Sequence, residues 1–188
     1  RKVIINQPQI RQIMNPFIIL PPRGNHYYSC IFLVERRYKF IPTMKNLKCM
    51  NMKIICPKMA IIKMSYREYK DQEQVLLNDS IQIVHELIRN EIVFGIPSHK
   101  IIIAGFGHGG LLALHAGLSF NQRIGGIVTI STLNLYSDFF PRPGTTEVPV
   151  FMAHGEDEEI IGSKWGHSTN QLLMKNIKNF FLNILAKN

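Results

Sequence analysis

Short apolar runs alternate with longer stretches of helical periodicity along most of this chain. Six runs are apolar at nearly every position, which is typical of parallel β-strands covered on both faces. They occupy residues 17–20, 29–34, 53–56, 101–104, 127–130 and 148–153. Apolar stripes with a helical repeat predict helices over about 76–91, 108–120 and 169–185. Gly95-Ile-Pro97 is expected to stop the first of these helices.

Strand–helix alternation with short connections favours an α/β fold, in which helices flank a mostly parallel central sheet. A chain of 188 residues is long enough to bury roughly 70% of its unfolded surface as one domain. We predict an N-terminal extension over residues 1–16 and a single domain over residues 17–188. Residues 43–71 show no clear pattern, and no apolar run approaches the roughly 18 residues of a membrane span.

The segment 101–116 joins a strand, a glycine-rich turn and a helix in direct succession. α/β-Hydrolases use such an elbow, in the form Gly-x-Ser-x-Gly, to present a nucleophilic serine. In this chain the frame is Gly105-x-Gly107-x-Gly109, so glycine occupies the position of the nucleophile. The same glycines also match a dinucleotide-binding motif, but that motif needs an acidic residue after the next strand. Here the next strand ends in the hydroxyl residues 131–132, which we interpret as a turn.

Several further blocks make the chain resemble the acyl-protein thioesterase family, also called the phospholipase/carboxylesterase family, and most of all its lysophospholipase-like branch. The blocks that carry the resemblance are residues 31–33, 55–57, 95–110, 124–131, 150–155 and 165–173. The resemblance implies an α/β-hydrolase fold over residues 17 to about 175. It also implies a substrate class, because such enzymes remove palmitate from cysteine thioesters or cleave small carboxylic esters.

The resemblance assigns the family's catalytic groups to four positions. The nucleophilic serine maps onto Gly107, which has no side chain to form an acyl-enzyme. The following residue, His108, takes the oxyanion position, where a main-chain N–H stabilises developing charge. The acid of a His-Gly-x-x-Asp pattern maps onto Glu158, which can still orient an imidazole. His167 is the candidate base, although we expect it on a helix and not on the family's histidine loop.

Two further departures from the family pattern concern the same chemistry. The first oxyanion segment of the family, a Gly-rich turn, is replaced by residues 34–38, which include the charged Glu35, Arg36 and Arg37. The last strand with its histidine loop is expected to be missing, so that the fold is truncated near the C-terminal strand. Loss of the nucleophile alone costs on the order of a million-fold in turnover in such enzymes. We therefore expect a divergent, catalytically impaired member that keeps the binding of an acyl chain or a partner.

Composition keeps two alternatives open. Of the net charge of +9, residues 1–70 carry 14 Lys and Arg against two acids. Such a basic half can favour anionic membrane surfaces, but it contains no nucleic-acid recognition pattern. The second hypothesis, which rests on the family resemblance, is an active palmitoyl-protein hydrolase with an unconventional site. The third, which rests on the basic half, is a membrane- or nucleic-acid-binding module. The partners we expect are an acylated protein or a lipid-like ester, with weak anionic membrane contact and no specific nucleic acid.

The cysteine and histidine patterns predict no cofactor and no metal. Three cysteines without a CxxC pair favour reduced thiols, and hence a cytoplasmic protein. His108 and His115 are seven residues apart, which on one helix separates them by two turns. That separation is too large for the two imidazoles to share a metal ion.

Overall fold

A mostly parallel sheet forms the centre of the computed structural model, which describes residues 17–34, 40–47, 51–57, 71–132, 147–153 and 179. Within these residues the sheet has the strand order β1-β3-β2-β4-β5-β6, with β1 antiparallel to β3 and every other pair parallel. The strands are β1 Ile18–Leu20, β2 Tyr28–Leu33, β3 Met52–Cys56, β4 Ile101–Phe106, β5 Gly126–Ile130 and β6 Val150–Ala153. The predicted α/β class and all six predicted strands are therefore confirmed.

Three α-helices and one 3-10 turn connect the described strands. They are α1 Ile41–Leu47, α2 Asp71–Val93, the turn Ser98–Lys100 and α3 His108–Ser119. The helices predicted at 76–91 and 108–120 are confirmed, although α2 begins five residues earlier than its apolar stripe. The pattern did not predict α1, because seven residues make barely two turns and too short a stripe to recognise. Of the predicted helix at 169–185 only residue 179 is described, and it is helical; the extension at 1–16 lies outside the described residues.

Gly95 ends α2 as the sequence predicts, by a C-terminal cap. Its φ of 98° lies in the left-handed region that side chains disfavour. The Gly95 N–H donates to the Ile92 carbonyl, and the Ile96 N–H donates to the Glu91 carbonyl, both at 3.0 Å. This pair of bonds is the Schellman motif, which satisfies carbonyls that the last helical turn leaves over. The chain then turns through Pro97 directly into β4.

Successive residues of each buried strand face opposite layers, so the apolar runs fill two cores. On one side, Ile31, Ile103 and Ile127 pack against α2 and α3. On the other side, Phe32, Ile102 and Val128 pack with Met44 of α1. A strand buried on both faces has no position for a polar alternation. This is why the central strands are almost entirely apolar, with Ser29 and Thr129 as buried exceptions.

Helix α3 approaches the sheet more closely than any side chain would allow. A Cβ atom on Gly109 would lie 1.9 Å from the Leu33 carbonyl oxygen, and one on Gly105 would lie 2.0 Å from the Gly109 carbonyl oxygen. These neighbours are main-chain atoms, which cannot rotate away. The two glycines therefore set the distance between the start of α3 and the carboxyl ends of β2 and β4.

Replacement of Gly109 by Ala should force α3 away from the sheet, because the new methyl group overlaps the main chain of β2. We expect a loss of about 3 kcal/mol in the free energy of unfolding, measured by urea denaturation. Gly24→Ala is the matched control, since its methyl group would meet only the side chain of Asn51, which can move. A change of similar size in both variants would contradict the role assigned to the close approach.

Candidate active site

The elbow between β4 and α3 keeps the sharp geometry of a nucleophile bend although it carries no nucleophile. Gly107 has φ 56° and ψ −122°, a backbone region that costs a residue with a side chain on the order of 1–3 kcal/mol. Its N–H donates to the Ile130 carbonyl at 2.9 Å. Its carbonyl accepts the N–H groups of Gly110 and Leu111 at 3.0 and 3.2 Å, which begins α3. Glycine adopts this bend without the strain that a serine would carry.

The end of β5 lies directly beside the elbow and supplies two hydroxyl groups. The Thr132 hydroxyl donates to the Gly107 carbonyl at 3.1 Å. Ser131 has a φ of 49°, the single positive value among non-glycine residues in the described part of the chain. Its N–H donates to the carbonyl of Ala153, the last residue of β6, at 2.8 Å. Sequence interpretation assigned Ser131 to a turn; its backbone strain, which marks functional sites in many proteins, has no local sequence signal.

Only part of the predicted catalytic set falls within the described residues. Gly107 and His108 are adjacent at the elbow, and His108 is the first residue of α3. A main-chain N–H at this place on a hydrolase elbow is one of the donors to the oxyanion. Glu158 and His167 lie outside the described residues, so their roles as acid and base stay predictions. Among the residues that the structure describes, no group of three or more His, Cys, Asp or Glu side chains is placed to hold a metal ion.

A second constellation of Ser, His and Glu lies at the opposite, amino-terminal edge of the sheet. The Ser29 hydroxyl donates to Glu91 Oε2 at 2.5 Å, and His26 Nε2 lies 2.8 Å from the same hydroxyl. Lys53 Nζ donates to Glu91 Oε1 at 2.6 Å. Ser29 and Glu91 are 62 residues apart in the chain, so no local motif announces their contact.

The direction of the hydrogen bonds shows that this cluster is not a catalytic triad. A hydroxyl has one proton, and that of Ser29 goes to Glu91 Oε2 and not to His26 Nε2. In a catalytic triad the serine proton points instead to the imidazole nitrogen that acts as its base. The carboxylate also faces His26 Nε2, at 3.5 Å, whereas a triad acid orients the other ring nitrogen. Burial, followed by the charge of Lys53, lowers the pKa of His26.

His115 lies on the buried side of α3, with 3% of its surface exposed. Burial lowers the pKa of its imidazole from 6.5 to about 4, because the charged form would lose its hydration. At neutral pH the ring is therefore uncharged. The ring is therefore a buried, neutral group of α3, seven residues after the first residue of the helix.

The parallel sheet and the elbow between β4 and α3 define the α/β-hydrolase class. The family model described as Phospholipase/Carboxylesterase matches residues 45–187. The chain therefore belongs to the phospholipase/carboxylesterase family, as the sequence resemblance predicts.

Relatives in this family carry thioesterase names. Acyl-protein thioesterase 1 homolog 2 of Dictyostelium discoideum is 32% identical over 114 residues, which are 58% of this chain and 50% of that protein. Acyl-protein thioesterase 1 of Neurospora crassa is 34% identical over 112 residues, which are 57% of this chain and 45% of that protein. The matched part thus spans about half the length of these relatives.

A solved structure confirms the fold. The phospholipase/carboxylesterase from Dyadobacter fermentans superposes with a TM-score of 0.65, over 88% of this chain and 81% of that chain. At 21% identity this likeness concerns the fold alone. Separately, none of the described helices combines the length and the apolar character that crossing a bilayer requires.

Replacement of Glu91 by Leu should destabilise the protein, because Lys53 and the buried Ser29 hydroxyl would lose their shared partner. We expect a loss of about 3 kcal/mol in the free energy of unfolding, measured by urea denaturation. Glu86→Leu, at an exposed position of the same helix, is the matched control and should change stability by less than about 0.5 kcal/mol. Equal stability of Glu91→Leu and the wild type would show that the cluster does not hold this edge together.

The buried imidazole of His115 predicts a decrease in stability on acidification. Below pH 6.5 the unfolded chain binds a proton that the folded chain refuses until about pH 4. The free energy of unfolding should therefore fall as the pH drops through this window, by about 3 kcal/mol at most from this group. His115→Gln should flatten that part of the curve in denaturant titrations at successive pH values, and His99→Gln, at a half-exposed position, serves as control. An unchanged slope in His115→Gln would refute the assignment.

Proposed function

We propose that this protein is an acyl-protein thioesterase-like member of its family that binds acyl chains or acylated proteins but hydrolyses them very poorly. The observation that carries the proposal is the bend at Gly107, with φ 56° and ψ −122° and no side chain. In the usual reaction of this fold, a nucleophile at that bend forms the acyl-enzyme. Without that nucleophile, turnover through the acyl-enzyme route falls by on the order of a million-fold.

The proposed ligand class rests on the names of the relatives and on the retained framework. Both relatives with about one-third identity are acyl-protein thioesterases. The elbow, the start of α3 and the carboxyl ends of β2 and β5 keep their mutual contacts in this chain. Binding of an acyl group depends on this framework, whereas turnover depends on the nucleophilic oxygen that Gly107 lacks. A protein of this kind would hold an acylated cysteine without cleaving it.

A second candidate function is hydrolysis through another hydroxyl. Ser131 favours it, because it follows β5 at the same edge as the elbow and holds a strained φ of 49°. Strain of this kind is stored at catalytic positions in many enzymes. Such a reaction would need a base beside the Ser131 hydroxyl. The described residues contribute no such base to this proposal.

Ester turnover separates the two candidates. Purified wild-type protein should cleave a short p-nitrophenyl ester no faster than the buffer does, and a fluorophosphonate probe should leave it unlabelled. It should nevertheless bind a palmitoylated peptide saturably, as measured by fluorescence anisotropy. Labelling that disappears in Ser131→Ala would establish the second candidate and overturn the first.

Insertion of the nucleophile alone should not restore the family's activity. In Gly107→Ser the hydroxyl returns to the bend, but the first oxyanion segment predicted to be altered at 34–38 does not change. We expect ester turnover by this variant to stay within about tenfold of the wild type, because the parts of the site act as a unit. Gly107→Ala controls for backbone strain at the bend. Full family-like turnover by Gly107→Ser would show that a complete base and oxyanion set is present.

A further inference from the structure

Two adjacent large apolar side chains project from the end of α2 at the amino-terminal edge of the sheet. Val93 is 83% exposed and Phe94 is 72% exposed, the highest values among large apolar side chains in the described ranges. Both precede the cap at Gly95. A Cβ atom placed on Gly95 would meet no atom within 4 Å, so the space beside the pair is open. The pair thus forms a convex tip and not the wall of a groove. Exposure of such a pair has a cost that a binding partner would remove.

Cationic side chains lie at the same amino-terminal edge as this tip, although one of them, Lys53, is paired with Glu91. Lys53 Nζ lies 5.8 Å from the centre of the Phe94 ring, and Lys100 Nζ lies 5.6 Å from that of Tyr28. Arg89 is exposed one turn before Val93, which places the two on the same side of α2. The loops at this edge add the exposed cations Arg23 and Arg123.

Among the described residues, little exposed negative charge lies near the tip. Glu91, two residues before Val93, is 3% exposed, and its carboxylate is taken up by Ser29 and Lys53. The exposed acid Glu86 lies about two turns back along α2, and Glu147 precedes β6 at the far side of the sheet. The surface around Val93 and Phe94 is therefore cationic at its rim and apolar at its tip.

We propose that this amino-terminal edge docks on anionic lipid bilayers, with Val93 and Phe94 entering the interface and the surrounding cations contacting lipid phosphates. The shape favours a bilayer over an acidic protein, because a convex tip of two side chains offers little of the area that a protein interface needs. Apolar residues flanked by Lys and Arg are the usual composition of an interfacial anchor. The charge complementarity is with the negative surface that phosphatidylserine gives to a membrane.

This orientation has a consequence for the candidate active site. The strands run from the amino-terminal edge to the elbow, and the six residues of β4 span roughly 20 Å. With Val93 and Phe94 in the bilayer, Gly107 would face away from the membrane at about that distance. The elbow would then meet acyl groups carried by proteins outside the bilayer. The docking itself does not depend on the function proposed for the elbow.

Vesicle co-sedimentation tests the proposal with lipids that contain no thioester. Wild-type protein should bind phosphatidylcholine vesicles only when they also contain phosphatidylserine, and added salt should weaken the binding. Arg89→Gln and Lys100→Gln should each reduce binding about fivefold. The double variant Val93→Ser/Phe94→Ser should reduce it at least about tenfold, through loss of apolar burial.

Met152→Ser is the matched control, because Met152 is also exposed, at 55%, but lies on β6 at the other end of the strand order. Its binding should equal that of the wild type, and thermal unfolding checks that every variant folds. The proposal is overturned if the wild type binds neither vesicle, or binds both equally. It is also overturned if the charge variants bind more weakly while the double variant does not. That pattern would indicate general contact with polyanions, including acidic proteins or nucleic acid.

Discussion

The main-chain contact between the start of α3 and the end of β2 is the constraint on which the candidate site depends. A Cβ atom on Gly109 would lie 1.9 Å from the Leu33 carbonyl oxygen. A Cβ atom on Gly105 would likewise lie 2.0 Å from the Gly109 carbonyl oxygen. This contact draws the ends of β2, β4 and β5 together around the bend at Gly107. It involves no catalytic atom. A chain can therefore lose the nucleophile and still keep the glycine frame, because packing alone selects glycine at Gly105 and Gly109.

The two edges of the sheet show that residue types alone do not identify a catalytic site, because hydrogen-bond direction and backbone geometry also decide. At the carboxyl edge, the bend at Gly107 has the geometry of a nucleophile elbow but no hydroxyl. At the amino edge, Ser29, His26 and Glu91 have the residue types of a triad, but the hydroxyl proton points to the carboxylate. In parallel sheets, ligands bind at the carboxyl ends of the strands. The fold therefore places the triad-like residues where they serve as structural links between β2, β3 and α2.

The interior accommodates its buried polar groups in two different ways. Glu91 is buried with a cation at 2.6 Å and a hydroxyl donor at 2.5 Å, so its charge is compensated locally. Burial lowers the pKa of His115 to about 4, so its ring is neutral in the core at neutral pH. Because Glu91 is buried and paired with Lys53, its carboxylate adds no exposed negative charge beside Val93 and Phe94. A structural carboxylate thereby influences the character of the surface above it.

Local patterns in the sequence were sufficient for the strands, for α3, for the end of α2 at Gly95 and for glycine at the elbow. Each of these depends on periodicity or on a backbone angle that one residue type prefers. Strand order, the short helix α1, the Ser29–Glu91 bond across 62 residues and the Thr132–Gly107 bond across 25 were decided only by the tertiary structure. The acid Glu158 and the base His167 remain predictions. Contacts between distant segments leave no periodic trace in the chain, because either partner alone resembles an ordinary polar residue at the end of an element.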